Sequence, residues 1–260
     1  PVYGVQGVAI ATVTGQVIGT VLLWVSLKQK GIELPFKRWR QIPAAMYKKI
    51  VRIGSMNAGE MLSYNMAQMT IVYLVVQMGT SSLAAFTYAQ NIARLSFAFA
   101  LAIGQAGQIQ TSYFIGKGWV DYILSRVQKY FVVGFIASTV ITCAVYLVRF
   151  DIIALFTHNP EITLLTAGLI TGSILLEAGR VFNLIFISAL KGAGDIKFPV
   201  QMGILSMWGF GVGFSYLLGT HFGWGVFGAW MAIALDEWFR GVIMAHRWRA
   251  KTWTKFSLTS

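Results

Sequence analysis

The chain has 260 residues, 56% of them hydrophobic and only 12% charged, with a mean hydropathy of +0.64 and a formal net charge of +12. Soluble domains carry about 25% charged residues, so a water-soluble globule is excluded. The basic excess does not describe a nucleic-acid surface either, because it follows the loops rather than one folded face.

Hydropathy predicts seven spans, at about 4–26, 53–78, 84–112, 130–149, 163–188, 199–218 and 225–246. Each reaches the ~20 residues that cross ~30 Å of hydrocarbon at ~1.5 Å per residue. The segments are too long for barrel strands and lack alternation at period two, so they read as helices. In the first span, Gly15 and Gly19 have the spacing that permits close helix approach. A basic connection follows, and its stretch from Pro35-Phe-Lys-Arg-Trp-Arg to Arg52 mixes aromatic and basic residues as a helix lying on anionic lipid does.

The second span carries Asn57, Glu60, Tyr64 and Gln68 at steps of three and four, one polar stripe on a helix. Lipid offers such a stripe no partners, so it faces other helices or a water-filled cavity. Glu60 is expected about seven residues, roughly 10 Å, past the inner end of this span. The third span holds Asn91, Arg94, Gln105 and Gln108; Asn91, Ala98, Gln105 and Ser112 follow a seven-residue step and are expected on one face. The lone cysteine, Cys143, lies in the apolar fourth span and founds neither a disulfide framework nor a thiol metal site. His158, His221 and His246 are scattered near span ends, so no metal cluster is read.

Asn159-Pro160-Glu161 supplies a cap, a first-turn proline and an acid, marking the start of the fifth helix. Within it Glu177 and Arg180 stand at i,i+3, and Asn183 is placed to extend that polar patch. Lys191-Gly-Ala-Gly-Asp195 lacks the spacing of a phosphate-binding loop and reads as a tight turn before Pro199. Gly209, Gly211 and Gly213 make the sixth span bendable. In the seventh, Asp236 and Glu237 compete for Arg240 at i,i+4 and i,i+3, with Trp238 beside them as packing residue or substrate contact. The helix bearing Arg94 is a second source of a partner, and this last helix is expected at an edge.

The basic residues orient the chain. Lys28, Lys30, Lys37, Arg38, Arg40, Lys48, Lys49 and Arg52 follow the first span; Lys117, Arg126 and Lys129 the third; Lys191 and Lys197 the fifth; Arg247, Arg249, Lys251 and Lys255 the seventh. The opposite connections hold only Arg149. The positive-inside rule therefore puts the C-terminus in the cytoplasm and makes the protein multi-pass in the cytoplasmic membrane.

Four carboxylates, Glu60, Glu177, Asp236 and Glu237, then lie at membrane depth against three arginines, Arg94, Arg180 and Arg240. An ionisable side chain there costs about 2.5–3.5 kcal/mol on insertion scales and is a functional hypothesis by default. By this count one acid lacks a fixed partner, and ion or cationic-substrate handling follows. The competing reading of each acid is structural: a hydrogen-bonded glutamate at 60, a mutual ion pair at 177 and 180, and a paired cluster at 236–240.

Several stretches resemble one family. Ile53-Gly-Ser-Met-Asn-Ala-Gly-Glu-Met-Leu-Ser-Tyr-Asn65 looks like the opening helix of the C-terminal lobe of multidrug and toxic compound extrusion (MATE) transporters. Ala106-Gly-Gln-Ile-Gln with Ile115-Gly-Lys-Gly, Phe156-Thr-His-Asn-Pro-Glu, Ser188-Ala-Leu-Lys-Gly-Ala-Gly-Asp-Ile-Lys-Phe-Pro199, Gly225-Val-Phe-Gly-Ala-Trp230 and Gly4-x-x-Gly7-Val-Ala-Ile-Ala-Thr12 resemble further family segments, in order. Lys191 stands where the family has arginine, and Met56 where it usually has a kinking proline. The resemblance implies an all-α, polytopic bundle: one span plus a six-helix lobe of a twelve-helix transporter whose lobes are related by pseudo-symmetry. It also implies exchange of amphipathic, often cationic, compounds for sodium ions or protons, and makes Gln108 a substrate-contact candidate.

Residues 1–27 are then the last helix of the N-terminal lobe, 28–52 a basic linker, 53–247 the C-terminal lobe and 248–260 a cytoplasmic tail. The rest of the N-terminal lobe is the expected partner, with membrane lipids and small-molecule substrates; no nucleic acid or organic cofactor is expected. The candidate coupling or substrate residues are Glu60, Asn57, Tyr64, Glu177, Arg180, Asn183, Gln108, Asp236 and Glu237, with Glu60 the metal ligand if the ion is sodium. A flippase for lipid-linked or polysaccharide precursors is the nearest alternative, disfavoured because it calls for a cationic groove where acids outnumber arginines. A seven-helix receptor is less favoured; with retinal it would need a lysine at mid-span, where none stands. No nucleophile and base pattern supports an enzyme.

Overall fold

A computed structural model describes residues 4–31 and 43–256, and within them every regular element is helical. In chain order these are α1 (Gly4–Gln29), α2 (Ala44–Gln77), α3 (Thr80–Gly116), α4 (Val120–Leu147), the short α5 (Arg149–Ala154), α6 (Pro160–Gly192), α7 (Lys197–Ser206) and α8 (Gly225–Arg249). The path of α7 continues through two π-helical stretches, Met207–Gly213 and Ser215–His221.

Helices stand at all seven predicted places, and five segments are long and apolar enough to cross a membrane: Ala9–Gln29, Thr80–Gly116, Val120–Leu147, Pro160–Gly192 and Lys197–His221. The other two, α2 and α8, are long enough, but the polar stripe of one and the mid-helix charges of the other lower their hydropathy. The second helix begins at Ala44 rather than 53, because Ala44-Ala45-Met46 are strong helix formers. The expected interfacial stretch at 35–42 lies outside the described residues. No proline interrupts α2, which runs unbroken past Met56.

The chain forms two compact units, Pro1–Val51 and Arg52–Ser260. In the first, α1 exposes Val17, Leu22, Leu23 and Trp24 by more than half, an apolar surface all round that only lipid or another protein surface suits. An added Cβ at Gly15 or Gly19 would meet nothing.

In the second unit α6 is the central helix, packing most extensively on α3 and α8 and then on α4. Its fully buried residues form two apolar clusters. One joins Leu169 and Leu176 to Phe86, Trp230 and Ile233, and reaches Ile71 and Val75 of α2. The other joins Val181, Ile185, Phe186 and Leu190 to Met244 and Trp248. Outward-facing Ile109, Val140 and Leu164 are 71%, 61% and 73% exposed, as a lipid-facing surface requires.

Glycines set the closest approaches. A Cβ on Gly241 of α8 would lie 2.7 Å from the Phe182 ring of α6, and one on Gly228 would lie 2.7 Å from the backbone of Leu218. The last helix is therefore locked into the centre of the unit, not at the edge where the sequence placed it. Asn159 caps α6 as expected, its side chain accepting from the Glu161 amide at 2.9 Å.

Candidate functional site

Four helices present one face each to a common space. From α2 come Glu60, Tyr64, Gln68 and Val72; from α3 Gln90, Arg94, Phe97, Leu101, Gln105 and Gln108; from α6 Leu176, Arg180, Asn183, Leu184, Ile187 and Lys191; from α8 Trp230, Ile233, Glu237 and Arg240. The steps of three and four in each set are those of a single helix face. They line an open cavity of 1110 Å³. A smaller recess of 420 Å³ opens beside it at Asn57, Glu60, Tyr64, Gln108, Lys191, Met207 and Arg240.

One wall is an arginine-linked carboxylate cluster at the α6–α8 contact. Arg180 Nη1 pairs with Glu177 Oε1 one turn away, and its Nε lies 3.6 Å from Glu237 Oε1 of α8. Arg240 Nη2 lies 2.6 Å from Asp236 Oδ2 and 3.3 Å from Glu237 Oε1. Asn183 Nδ2 donates to Glu237 Oε2 at 2.8 Å, and Ser206 Oγ of α7 donates to Asp236 Oδ1. Three carboxylates share two guanidiniums here, and these contacts with the hydrogen bonds from Asn183 and Ser206 make burial tolerable. Glu177 Oε2 and Arg240 Nε nevertheless find no hydrogen-bond partner among the described residues. The cluster lies between the two apolar clusters, where charges would otherwise be untenable.

The adjoining recess, lined by Glu60 and Lys191 and reached by Arg240, forms a simpler mouth. Lys191 Nζ, in the last turn of α6, lies 2.6 Å from Glu60 Oε2, and both side chains remain partly exposed. Gly203 of α7 sits against this pair, since a Cβ there would be 3.4 Å from Glu60 Oε1. The end of α6 is held on α3 by Gly192, whose added Cβ would fall 2.6 Å from the Gln108 carbonyl oxygen, and by Ser112 Oγ donating to Gly192 O at 2.9 Å.

The structure sorts the predicted residues. Glu60, Tyr64, Gln108, Arg180, Asn183 and Glu237 line the main cavity, and Asn57 lines the adjoining recess. Glu177 and Asp236 do not line either; they stand behind the wall, each tied to its arginine. The expectation of an unpartnered acid is overturned, because Lys191, read as a loop residue, pairs with Glu60. The preference for a cationic substrate and the case against an anionic lipid both leaned on that surplus, and lose it. Glu237 finds its second partner in Arg180, not Arg94. Asn91, Ala98 and Ser112 are off the cavity face that Gln105 occupies. Trp238 is a packing residue: its Nε1 donates to Leu175 O at 2.9 Å and its ring stacks edge-on to Phe182.

Lys191 and Gln90 are among the lining residues that sequence reasoning missed, with Asn65, Tyr73 and Ser188. Lys191 follows Arg180 by three helical turns, so the signal was present; the predicted span ended at 188, short of it. Gln90 stands one turn before Arg94 and was hidden by the competing seven-residue step through Asn91.

A sequence model of the MatE family matches residues 58–217, most of the lining helices. The chain belongs to that family. The uncharacterized transporter YisQ of Bacillus subtilis is 38% identical over 97% of this chain and 56% of its own length. The probable multidrug resistance protein NorM of Thermotoga maritima is 22% identical over 98% of this chain and 55% of its length. The chain thus spans about half the length of the curated relatives it matches. The fold agrees with that of a MATE crystal structure in the straight conformation, at a TM-score of 0.78 and 20% identity over 96% of this chain and 56% of that one. As a MatE chain with lipid-suited helices, it is an integral membrane protein.

Proposed function

We propose that this MatE chain is the ion- and substrate-handling half of an exporter. In this reading it moves amphipathic small molecules across the cytoplasmic membrane in exchange for sodium ions or protons, and Glu60 is the coupling carboxylate. The carrying observation is the Glu60–Lys191 pair on the cavity wall. The other three acids are each held by an arginine, a planar and permanently charged partner. Glu60 faces a compact ammonium on a flexible stem, within reach of anything that enters the cavity.

A sodium ion or a proton arriving there replaces Lys191 at the carboxylate. The exchange breaks a tie between α2 and the end of α6, so cation loading acts on how α2 is held. A ligand shifts a conformational balance only through differential interaction with the two states, and a tie that exists only in the unloaded state supplies that difference. The basic loops support seven spans with a cytoplasmic C-terminus, and the other lobe belongs to the remainder of a longer protein.

The test uses the full-length protein in sealed vesicles, with sodium and proton gradients imposed separately. Glu60→Gln is expected to reduce gradient-driven dye efflux at least tenfold while folded yield holds; unchanged efflux overturns the assignment. Lys191→Gln removes the resident competitor. It is expected to lower the sodium concentration for half-maximal efflux or, if protons couple, the proton gradient that half-maximal efflux requires, because the incoming cation no longer has to displace a resident one.

A further inference from the structure

The charges that face the cavity do not balance locally. Glu60 is matched by Lys191, and Glu237 by Asn183, Arg240 and Arg180. Arg180 and Arg240 are in turn engaged from behind by Glu177 and Asp236. Arg94 is different. It projects from α3 into the same space, yet no ion pair or hydrogen bond joins it to any described residue. The one lining charge without a partner is therefore a cation, the reverse of what the sequence count implied.

Its surroundings suit an acid on an aromatic body. On the same face of α3, Gln90 lies one turn before it and Phe97 one turn after, both lining the cavity. Tyr64, Tyr73 and Trp230 supply further aromatic lining, and Gln68 and Gln105 further amide donors. A guanidinium offers five N–H donors in a planar fork that matches a carboxylate or phosphate bidentately.

We infer that Arg94 is an anion subsite, and that the compounds taken into this cavity carry a carboxylate or phosphate group on an aromatic or apolar body. This inference rests on the exporter reading for its cargo, but the subsite is testable without transport. A bound acid would give the cavity an anchor at α3. Free cationic amphiphiles without an acid would find no unpaired acid there and would bind more weakly.

The measurement is equilibrium binding of dansyl-phenylalanine and of its methyl ester, which differ by one negative charge, to the full-length protein in phosphatidylcholine nanodiscs. The acid is expected to bind at least tenfold more tightly than the ester. Arg94→Gln is expected to bring the two within twofold of each other, and Arg94→Lys to keep part of the preference. Equal binding of acid and ester by the unaltered protein, or a preference that survives Arg94→Gln, overturns the subsite. Repeating the titration in phosphatidylglycerol discs distinguishes a lipid headgroup: loss of acid binding there would assign Arg94 to lipid and overturn the cargo proposal. Because no gradient is applied, an intact Arg94-dependent preference alongside absent efflux would refute the exporter reading alone.

Discussion

The two ion-pair regions of the cavity use the same chemistry to opposite ends. At the α6–α8 wall, Glu177, Asp236 and Glu237 share two arginines under deep burial, with hydrogen bonds from Asn183 and Ser206 and apolar clusters on either side. At the α2–α6 mouth, one glutamate meets one lysine, both partly exposed. A multiply tied buried cluster fixes how helices pack, since removing any member strands the others. A single, partly exposed pair with no second tie is weaker and replaceable. An acid at membrane depth is therefore not by itself a coupling site; what decides is whether its partner can leave.

The comparison is broken most severely at Arg240. Arg240→Met would leave Asp236 and Glu237 buried without their shared cation, at a cost of about 3–5 kcal/mol. The expected outcome is loss of the monodisperse folded species in detergent and a collapse of the thermal unfolding midpoint. At the mouth, Glu60→Gln is expected to cost about 1 kcal/mol or less in the same assay. If the two substitutions destabilise equally, the distinction between a locked wall and a releasable mouth is lost.

Backbone approach gives a second contrast of intermediate size. Gly241→Ala adds a methyl 2.7 Å from Cδ1 of Phe182 and 3.1 Å from the Asn183 amide nitrogen. Overpacking of this kind costs about 1–3 kcal/mol, and it separates α8 from α6 where Asn183 and Glu237 meet. A lowered unfolding midpoint, measured together with weaker dansyl-phenylalanine binding, is expected; an unchanged midpoint would mean that α6 and α8 are free to move apart.

Much of this arrangement was legible in the sequence, and the misses have physical causes. Polar residues at helical steps gave the α2 stripe through Glu60, Tyr64 and Gln68, and i,i+3 spacing gave the Glu177–Arg180 pair. These are local facts of one helix. What spacing cannot give is the register between helices. Glu237 meets Arg180 only because α6 and α8 cross at Gly179 and Gly241, and no pattern within α8 reports that crossing. Lys191 was misjudged for another reason. Hydropathy ends a span where polar residues begin, but α6 continues to Gly192, and its last turn carries the lysine to Glu60. The charge count was therefore wrong by one: with Lys191 added, four acids stand against four cations and the expected acid surplus is gone. α8, expected at an edge, is instead packed extensively on α6, because pairing lets its mid-helix charges be buried.

The smallest expected effect on stability sharpens the comparison furthest. Gly203 belongs to α7, and a Cβ there would stand 3.4 Å from Glu60 Oε1, an ordinary van der Waals contact. Gly203→Ala should leave the unfolding midpoint nearly unchanged, within about 0.5 kcal/mol, since nothing is overpacked and an interior helical glycine is replaced by a better helix former. Its effect belongs instead to Glu60, the proposed coupling carboxylate. The new methyl covers one side of Glu60 and removes room for a hydrated ion while leaving the line to Lys191 Nζ open. Half-maximal efflux should then require several-fold more sodium, whereas a proton, which needs no room, would couple with little change. Measuring the two gradients on this one variant separates the coupling ions without touching a charged group. A large fall in stability would show instead that the mouth is as tightly packed as the wall.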